Sequence, residues 1–485
     1  RRLSWPFAIR STMDYRKKVA AIYLLGFFVD LINMFITSVA YPDIGHGLQA
    51  SVPQLAWIST GYILGLTIVI PASAWLAAYY GSKTVFMASL LTFLFASVGA
   101  GLAPSIEALI AWRCVQGLGG GLLIPLGQSM TYQLYPPAER PGLSSVIMLV
   151  GLLAPALSPA LGGVIVDSLS WRAIFYLNVP FAALALLLAA CWLRPDPPRA
   201  QVPRLDAGGL LAGCVAILLL LLGLTMLGTP GDAWAGAGVL ALGVVCAWAY
   251  VRGALRKSTP LLNLRLASEP LLRVSMLMYL LVPGVFMGVS LLAMLYLQGV
   301  LGMSASTAGA LMLPWALASF GAIALTGKSY RRIGPQPLFI AGTLLQAAGM
   351  LMLLRVDAAD QLFWLAGAYA VMGFGGGLCS STAQSTAFLR TPDTQLSQAS
   401  AVWNINRQLG FCLGVALLGV LLNSLLAAQG IATLDDPAPH ARAAQVFHWC
   451  FALAAASCAL PLMLCARIDN RAVLALFSHP QEGKK

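Results

Sequence analysis

Residues 115–132 read VQGLGGGLLIPLGQSMTY, and 256 residues later residues 371–388 read VMGFGGGLCSSTAQSTAF. Both copies are apolar, and their glycines occupy matching places. The positions shared by the two copies include, in the first, Gly117, Gly119, Gly120, Gly121, Leu122, Gln128 and Ser129. If both copies cross a membrane in the same direction, the repeat predicts two parallel halves of the chain, related by an axis along the membrane normal.

The composition excludes a soluble globular chain. Of 485 residues, 59% are hydrophobic and 9% are charged, against roughly 25% charged in soluble domains. A membrane-spanning helix needs about 20 mostly apolar residues, and the apolar runs predict about fourteen such helices. The predicted spans are 19–41, 53–77, 84–103, 106–132, 142–166, 172–193, 208–228, 234–251, 271–300, 306–326, 337–354, 361–388, 398–427 and 444–466. We therefore expect an all-α integral membrane fold.

Basic side chains gather on one side of these predicted spans. The opposite loops hold only Arg172, Arg355 and Arg442. The basic set lies in the other loops and in the terminal segments, and includes Arg16, Lys17, Lys18, Lys83, Arg140, Arg194, Arg256, Lys257, Lys328, Arg331, Arg332, Arg390 and Arg467. The positive-inside rule then predicts that both termini are cytoplasmic and that the number of spans is even. These loops account for the net charge of +12, so we predict a lipid bilayer and no nucleic acid as partner.

The repeat divides the chain into five segments. Met13 opens a basic run that resembles a natural start, so residues 1–12 are treated as an upstream extension outside the fold prediction. In order, we predict a cytoplasmic segment (1–18), a six-helix bundle (19–193), an inserted two-helix linker (194–270), a second six-helix bundle (271–468) and a cytoplasmic tail (469–485).

Four motifs follow one another along the chain. Residues 113–120 read RCVQGLGG, residues 154–163 APALSPALGG, residues 171–180 WRAIFYLNVP and residues 401–410 AVWNINRQLG. They resemble, in that order, R-x-x-Q-G-x-G-G, A-P-x-x-G-P-x-x-G-G, W-R-x-I-F-x-I-N-x-P and A-x-W-N-x-x-R-Q-L-G of the fourteen-span drug:proton antiporter branch of the major facilitator superfamily. This resemblance covers nearly the whole chain. It implies the major facilitator fold, with two six-helix bundles and two inserted helices.

The resemblance also implies a function. The chain is expected to export small, lipophilic organic compounds across the inner membrane by alternating access, driven by the proton gradient and without a bound cofactor. A small-molecule substrate and protons are the implied partners, and a periplasmic adaptor protein is compatible with the branch. The oligomeric state is left open.

Two departures from the family pattern bear on mechanism. The loop between spans 2 and 3 usually reads G-x-L-A-D-R-x-G-R-R, whereas Ala78 and Tyr79 stand here in place of its Asp and Arg. The usual cytoplasmic charge latch is therefore in doubt. In span 1 the branch places an Asp where this chain has Asn33, and the carboxylate lies three residues earlier, at Asp30. Because residues three apart share a helix face, Asp30 is still expected to face the cavity.

Three ionisable residues lie well inside the predicted spans: Asp30, Arg113 and Arg407. A charge at the bilayer centre costs at least about 2.5 kcal/mol, and such residues usually face a cavity and mark function. We predict that Asp30 and Arg113 couple transport to protons, alternately pairing with each other and serving the proton or the substrate. A structural hydrogen bond between helices is the alternative for both. Arg407 could bind an anionic or polar substrate group, or it could link helices to one another, and the sequence favours the two roles equally.

Other residues are assigned by position, and simple packing is the alternative for each. The predicted substrate cavity comprises Asn33, Met34, Trp57, Tyr62, Gln116, Gln128, Gln298, Trp403, Asn404 and Arg407. The predicted gating and helix-packing residues are Gly81, Lys83, Gly117, Pro155, Pro159, Gly162 and Gly163. The glycine runs lie within apolar spans without a following Lys, so we expect close helix packing there. The spacing of the nine cysteines predicts no metal site.

Other functions remain as alternatives. The altered loop and the displaced Asp30 would suit a dedicated exporter of one metabolite or siderophore. A polytopic membrane enzyme would need clustered polar groups near one face, whereas the four histidines are scattered along the chain. The sequence therefore favours a transporter and no enzyme.

Overall fold

The computed structural model describes residues 14–50, 52–195, 205–227, 231–257, 260–430 and 440–478, and every regular element among them is helical. Spans 1 to 6 comprise Tyr15–Ile36; Val52–Val69 with Ile70–Ala72 and Ser73–Tyr80; Ser82–Gly101; Ile106–Gln133; Arg140–Ser168; and Ala173–Tyr176 with Asn178–Trp192. Spans 7 and 8 are Ala207–Leu227 and Ala233–Arg256. Spans 9 to 14 comprise Pro270–Leu281 with Pro283–Leu295 and Tyr296–Val300; Ala305–Ala310 with Met312–Ile333; Pro335–Met352; Leu362–Ala387; Leu396–Ala428; and His440–Ser457 with Ala459–Cys465.

The spans agree with the sequence prediction in number and order. Within the described residues, 13 helical segments are long and apolar enough to cross a membrane. Span 5 is the remaining one, a continuous helix of 29 residues, which at 1.5 Å per residue exceeds the thickness of the hydrocarbon core. The all-α membrane fold is therefore confirmed.

Helix ends follow local sequence signals. Span 4 begins after Ser105, whose hydroxyl accepts a hydrogen bond from the Ala108 amide at 3.2 Å. Span 9 begins after Glu269, whose carboxylate accepts from the Leu272 amide at 2.7 Å. Both residues satisfy amide groups that a helix start leaves without an intrahelical partner.

The two bundles repeat the same contacts. In the first, span 4 packs on spans 2 and 3, span 1 on span 5, and span 3 on span 6. In the second, span 12 packs on spans 10 and 11, span 9 on span 13, and span 11 on span 14. Each pair is displaced by eight spans from its counterpart, so the packing reproduces the repeat seen in the sequence.

Spans 7 and 8 pack mainly against each other and touch spans 2 and 13. At their predicted cytoplasmic ends, Lys257 donates to both carboxylate oxygens of Asp206 at 2.7 Å. The hydrogen bonds from Lys257, together with one from the Gly209 amide, hold the pKa of the Asp206 carboxyl below its usual range. The inserted pair is thus closed by its own ion pair.

Candidate functional site

Asp30 lies on span 1 and is fully buried. The hydroxyl of Tyr62, from span 2, donates to its Oδ1. Its second oxygen, Oδ2, is sealed from solvent and has no hydrogen-bond partner among the described residues. A buried polar atom without a partner carries a substantial desolvation cost. The Asp30 carboxyl is therefore only half satisfied in this conformation.

Arg113 lies on span 4 and is also fully buried. Its guanidinium donates to Asn33 Oδ1 at 3.0 Å, to Gln116 Oε1 at 2.7 Å and to the Ile58 carbonyl at 3.3 Å. All of these acceptors are neutral oxygens. The guanidinium is thus well bonded, but no carboxylate of the described residues neutralises its charge.

Tyr62 connects the two charged groups. The Arg113 Cζ atom lies 4.4 Å from the centre of the Tyr62 ring, which is within cation–π range, while the hydroxyl of the same ring binds Asp30. The described residues contain no direct ion pair between Asp30 and Arg113. The sequence thus selected Tyr62 only as a cavity residue, whereas the structure places it between the predicted pair.

Two further polar residues complete this network, and neither was predicted as a site residue. Asn178 of span 6 donates to Asn33 Oδ1 at 2.9 Å, and Gln116 donates to the Ser97 hydroxyl of span 3 at 2.7 Å. Asn178 is the Asn of the residue 171–180 motif, which was the only sequence signal for it. We define the polar cluster as Asp30, Asn33, Tyr62, Ser97, Arg113, Gln116 and Asn178.

Glycines of span 4 allow the polar cluster to form. A methyl group at Gly117 would collide with the backbone oxygen of Tyr62, and one at Gly120 would collide with Asp30 Oδ1 and the Tyr62 hydroxyl. Spans 2 and 4 consequently approach closely enough for the Tyr62 ring to reach both charges. Small residues at helix interfaces in membranes permit this kind of approach.

The second bundle contributes Arg407 and Asn404 from span 13. Asn404 donates to Gln128 Oε1 of span 4 at 3.0 Å, which links the two bundles. Arg407 lies with its Cζ 5.8 Å from the Phe27 ring of span 1, and its Nε is buried without a hydrogen-bond partner among the described residues. Trp403 packs between the rings of Tyr279 and Phe388.

Three of the predicted cavity residues lie outside both the polar cluster and the group on span 13 around Asn404 and Arg407. Trp57 is 41% exposed on span 2, and Gln298 is exposed in the π-helical end of span 9. Met34 is partly buried and packs on an apolar group that includes Tyr62. Sequence position alone could not separate these side chains from the ones that face the cluster.

The two bundles are bonded to each other near one end. Every hydrogen bond between them in the described residues falls within residues 128–145 of the first bundle and 381–404 of the second. These are the ends of spans 4, 5, 12 and 13 that the charge pattern assigns to the cytoplasm. Closure at that end gives a conformation in which the predicted cytoplasmic side is sealed.

Arg140 is the central residue of this seal. Its guanidinium donates to Asp393 Oδ1 at 2.7 Å and to the carbonyls of Phe388 and Thr391 at 2.8 and 3.4 Å. Arg140 is buried although Asp393 is exposed. We call this arrangement the Arg140 latch. The sequence did not select Arg140 as more than a basic loop residue.

The loop between spans 2 and 3 plays a different part. Gly81 adopts a positive φ of 88° where span 2 ends, a conformation that suits glycine. Lys83 donates to the carbonyls of Ala190 and Leu193 at 3.0 and 2.6 Å, at the end of span 6. Lys83 thus ties the loop to its own bundle.

Ala78 lies at an open cavity of about 450 Å³, whose lining also includes Gln133, Asp393 and Ser397. The position of the usual acidic latch residue therefore faces the start of span 13 across an open space. The Arg140 latch bonds the same region from span 5.

The remaining gating predictions concern span 5. The side chains of Pro155 and Pro159 lie outside the described residues, although the helix itself continues through both positions. Gly162 is buried. A methyl group at Gly163 would meet no atom of the described residues within 4 Å, so packing against these residues does not explain the glycine.

Comparison with known proteins agrees with this architecture. The family model of the Major Facilitator Superfamily matches residues 23–415. A Salmonella paratyphi B protein named "Putative multidrug resistance protein MdtD" is 28% identical over 456 residues, covering 93% of this chain and 94% of its own. A Bacillus subtilis protein named "Uncharacterized MFS-type transporter YhcA" is 26% identical over 401 residues, covering 82% and 75%.

Two solved structures show a similar fold. The human organic anion transporter MFSD10 has a TM-score of 0.65 at 16% identity, with 93% of this chain and 100% of that chain covered. The proton:xylose symporter XylE has a TM-score of 0.60 at 16% identity, with 91% and 94% covered. The chain belongs to the Major Facilitator Superfamily and is a multi-pass membrane transporter rather than an enzyme.

Proposed function

We propose that this chain is a proton-coupled antiporter that exports small, lipophilic organic molecules by alternating access. The observation that carries the proposal is the Asp30 carboxyl, which is fully buried and has one sealed oxygen without a hydrogen-bond partner in the described part of the chain. An ionised carboxylate in that position is costly, and a proton on the free oxygen removes the charge. Asp30 is therefore suited to take up and release a proton as its surroundings change.

Tyr62 and Arg113 supply the change in surroundings. Both belong to spans that contact span 1, and Tyr62 touches both charged groups. A small shift of spans 2 and 4 relative to span 1 would move the guanidinium towards Asp30 or away from it. A nearby guanidinium favours the ionised carboxylate, and its departure favours the protonated form. The polar cluster can in this way link proton exchange to helix movement.

The seal between the bundles supports alternating access. The Arg140 latch and its neighbouring bonds close the end that the charge pattern assigns to the cytoplasm. Exchange would require these bonds to break and the opposite end to close. We propose that the protein lies in the inner membrane with both termini in the cytoplasm, and a periplasmic adaptor protein remains a proposed partner.

Export of several compounds is favoured by the relative named for multidrug resistance, which aligns over almost the whole chain. Export of a single metabolite or siderophore is the second candidate. It is favoured by Asn33, which stands where the antiporter branch has its Asp and binds Arg113 as a neutral acceptor. Binding of several unrelated dyes and drugs would support the first candidate, and binding of one chemical type the second.

The test is proton movement in proteoliposomes that contain the purified protein. A panel of lipophilic dyes and drugs is added under an imposed acid gradient, and the internal pH is followed with a trapped indicator. Substrate-dependent proton movement is expected for the unchanged protein and should be lost in Asp30→Asn. The matched control is Asp360→Asn, which changes an exposed carboxylate. Full proton coupling in Asp30→Asn would refute the proposal.

A further inference from the structure

Arg407 is a buried cation without a partner in the described part of the chain. Its side chain is 8% exposed, and its guanidinium makes no ion pair there. The Nε atom is sealed and has no hydrogen-bond partner among the residues that the structure describes. This contrasts with Arg113 and Arg140, each of which donates several hydrogen bonds.

An unpaired guanidinium at this depth is costly. Arginine stays charged in proteins, and its planar fork fits the two oxygens of a carboxylate or a similar oxyanion. Burying an ion carries a penalty of several kcal/mol, which a well-placed counter-ion offsets. An acidic group of a bound molecule would therefore supply the hydrogen bonds that the described residues do not provide.

The charges nearby also favour an anion. Apart from Arg140, which is paired with Asp393 in the latch, the described interior contains the guanidinium groups of Arg113 and Arg407 and the carboxyl group of Asp30, all buried. The acceptors of Arg113 are neutral, and Asp30 is bonded to Tyr62. One acid thus faces two bases, so an added negative charge would balance this interior.

One aromatic ring contacts the Arg407 guanidinium, and other rings lie on the neighbouring helices. Its Cζ lies 5.8 Å from the Phe27 ring, which stacks on Tyr23 with centroids 5.8 Å apart. On the second bundle, Tyr279 lies 5.9 Å from Phe411, one turn beyond Arg407. These rings suit the apolar or aromatic body of a ligand whose acidic group reaches the guanidinium.

We propose that Arg407 binds the acidic group of the transported molecule, and that the substrates are organic anions with an aromatic or apolar body. This inference rests on the proposed export function and narrows its substrate class. Arg407 lies on span 13 of the second bundle, opposite the ring of Phe27 on the first. Binding an anion there would place the ligand between the two bundles.

The test uses a matched pair of probes, 2-naphthoate and its neutral amide 2-naphthamide. Their binding to the purified full chain in lipid nanodiscs is measured by calorimetry, without a proton gradient and against empty nanodiscs. We expect the unchanged protein to bind the acid more tightly than the amide. Arg407→Gln should weaken binding of the acid at least about tenfold, as expected for loss of a charge-assisted hydrogen bond, and change binding of the amide less than about twofold.

Two variants control the measurement. Arg407→Lys keeps the charge but loses the planar fork, so it should retain part of the preference for the acid. Arg332→Gln removes an exposed arginine outside the cluster and should leave both affinities unchanged. Size-exclusion profiles of the variants show whether each one is folded.

Three results would overturn the inference. These are equal affinity of the unchanged protein for acid and amide, undiminished binding of the acid by folded Arg407→Gln, and no binding of the acid to the unchanged protein up to about 1 mM. If Arg407 instead serves only as a counter-ion for Asp30 in another conformation, its removal would alter proton movement without any selective loss of acid binding. Because binding is measured without a gradient, loss of acid selectivity is distinguishable from failure of proton coupling in the Asp30→Asn test.

Discussion

The guanidinium of Arg140 on span 5 lies 2.7 Å from the carboxylate of Asp393 at the start of span 13. It joins the two bundles at the end that the charge pattern assigns to the cytoplasm. The arginine side chain is 2% exposed and the aspartate 67% exposed. Because the same guanidinium also holds two carbonyls at the end of span 12, its contribution to the seal exceeds that of the ion pair alone.

Loss of the Arg140 latch should open the sealed end. Arg140→Gln removes the ion pair and the two carbonyl bonds, so we expect the free-energy difference between the sealed and open conformations to shift by about 3 kcal/mol towards the open one. Asp393→Asn removes only the exposed partner and should shift this free-energy difference by about 1 kcal/mol or less. The measurement is the rate at which a membrane-impermeant maleimide labels Ser381→Cys, since Ser381 is fully buried between the bundles.

The control for the latch is Arg16→Gln. Arg16 forms an ion pair with Glu139 at 2.7 Å, but both residues belong to the first bundle and are exposed. Labelling of Ser381→Cys should be unaffected by this change, and labelling of the protein without that cysteine is subtracted. Equal labelling rates in Arg140→Gln and Arg16→Gln would show that the latch does not hold the bundles together.

The hydroxyl of Tyr62 should matter for transport more than for folding. Tyr62→Phe keeps the ring beside Arg113 but removes the only hydrogen bond to Asp30 Oδ1 from another side chain of the described residues. A hydrogen bond to a charged group contributes about 1.5–3 kcal/mol, so we expect coupled proton flux to fall about tenfold or more. Flux in proteoliposomes gives the measurement.

Tyr369→Phe provides the comparison for Tyr62→Phe. Tyr369 is fully buried in the second bundle, and its hydroxyl has no hydrogen-bond partner among the described residues. Removing that hydroxyl should leave the protein folded and its coupled proton flux within about twofold of that of the unchanged protein. A similar loss of flux in both variants would mean that the Tyr62 hydroxyl has no specific role.

A carboxylate at position 33 should not replace the one at position 30. In the double variant Asp30→Asn with Asn33→Asp, the new carboxylate would meet the Arg113 guanidinium and the Asn178 amide, which now bind Asn33. Both donors favour the ionised form of this carboxylate, so we expect a coupled proton flux less than about a tenth of that of the unchanged protein. Full restoration of flux would show that the coupling carboxylate can lie at either position in the cluster.

The glycines of spans 4 and 5 should differ in their tolerance of a methyl group. Gly117→Ala forces a Cβ into the backbone of Tyr62. We therefore expect the free energy of unfolding to fall by about 2–3 kcal/mol, the upper part of the range for overpacking. In Gly163→Ala the added methyl group meets no described residue within 4 Å, so this variant should be nearly neutral. Thermal unfolding in detergent compares the two, and equal melting temperatures would contradict the close approach of spans 2 and 4.

The fold could be predicted because it depends on patterns that extend along the whole sequence. Apolar runs, one-sided basic loops and the repeat each report on a property that extends over many residues. Span 13, for example, was predicted at 398–427 and is observed at Leu396–Ala428. Errors of one or two residues at helix ends do not affect such an architecture.

The site was less accessible to sequence reasoning because it depends on which side chains meet. The sequence predicted that Asp30 and Arg113 pair alternately with each other, but a sequence pattern does not report how each helix is rotated about its axis. Tyr62 occupies the space between them, and Asn33 takes the place of a carboxylate at Arg113. Arg140 was overlooked because the predicted topology already explains a basic residue in a loop assigned to the cytoplasm.

The polar cluster is confined to the first bundle, whereas Arg407 belongs to the second. Under the proposed function, one half of the molecule would handle the driving ion and the other would recognise the cargo. New cargo preferences could then arise by altering span 13 and its neighbours, while the machinery that uses the gradient stayed intact. A chimera that joins this first half to a related second half offers a direct route to exporters with redesigned selectivity.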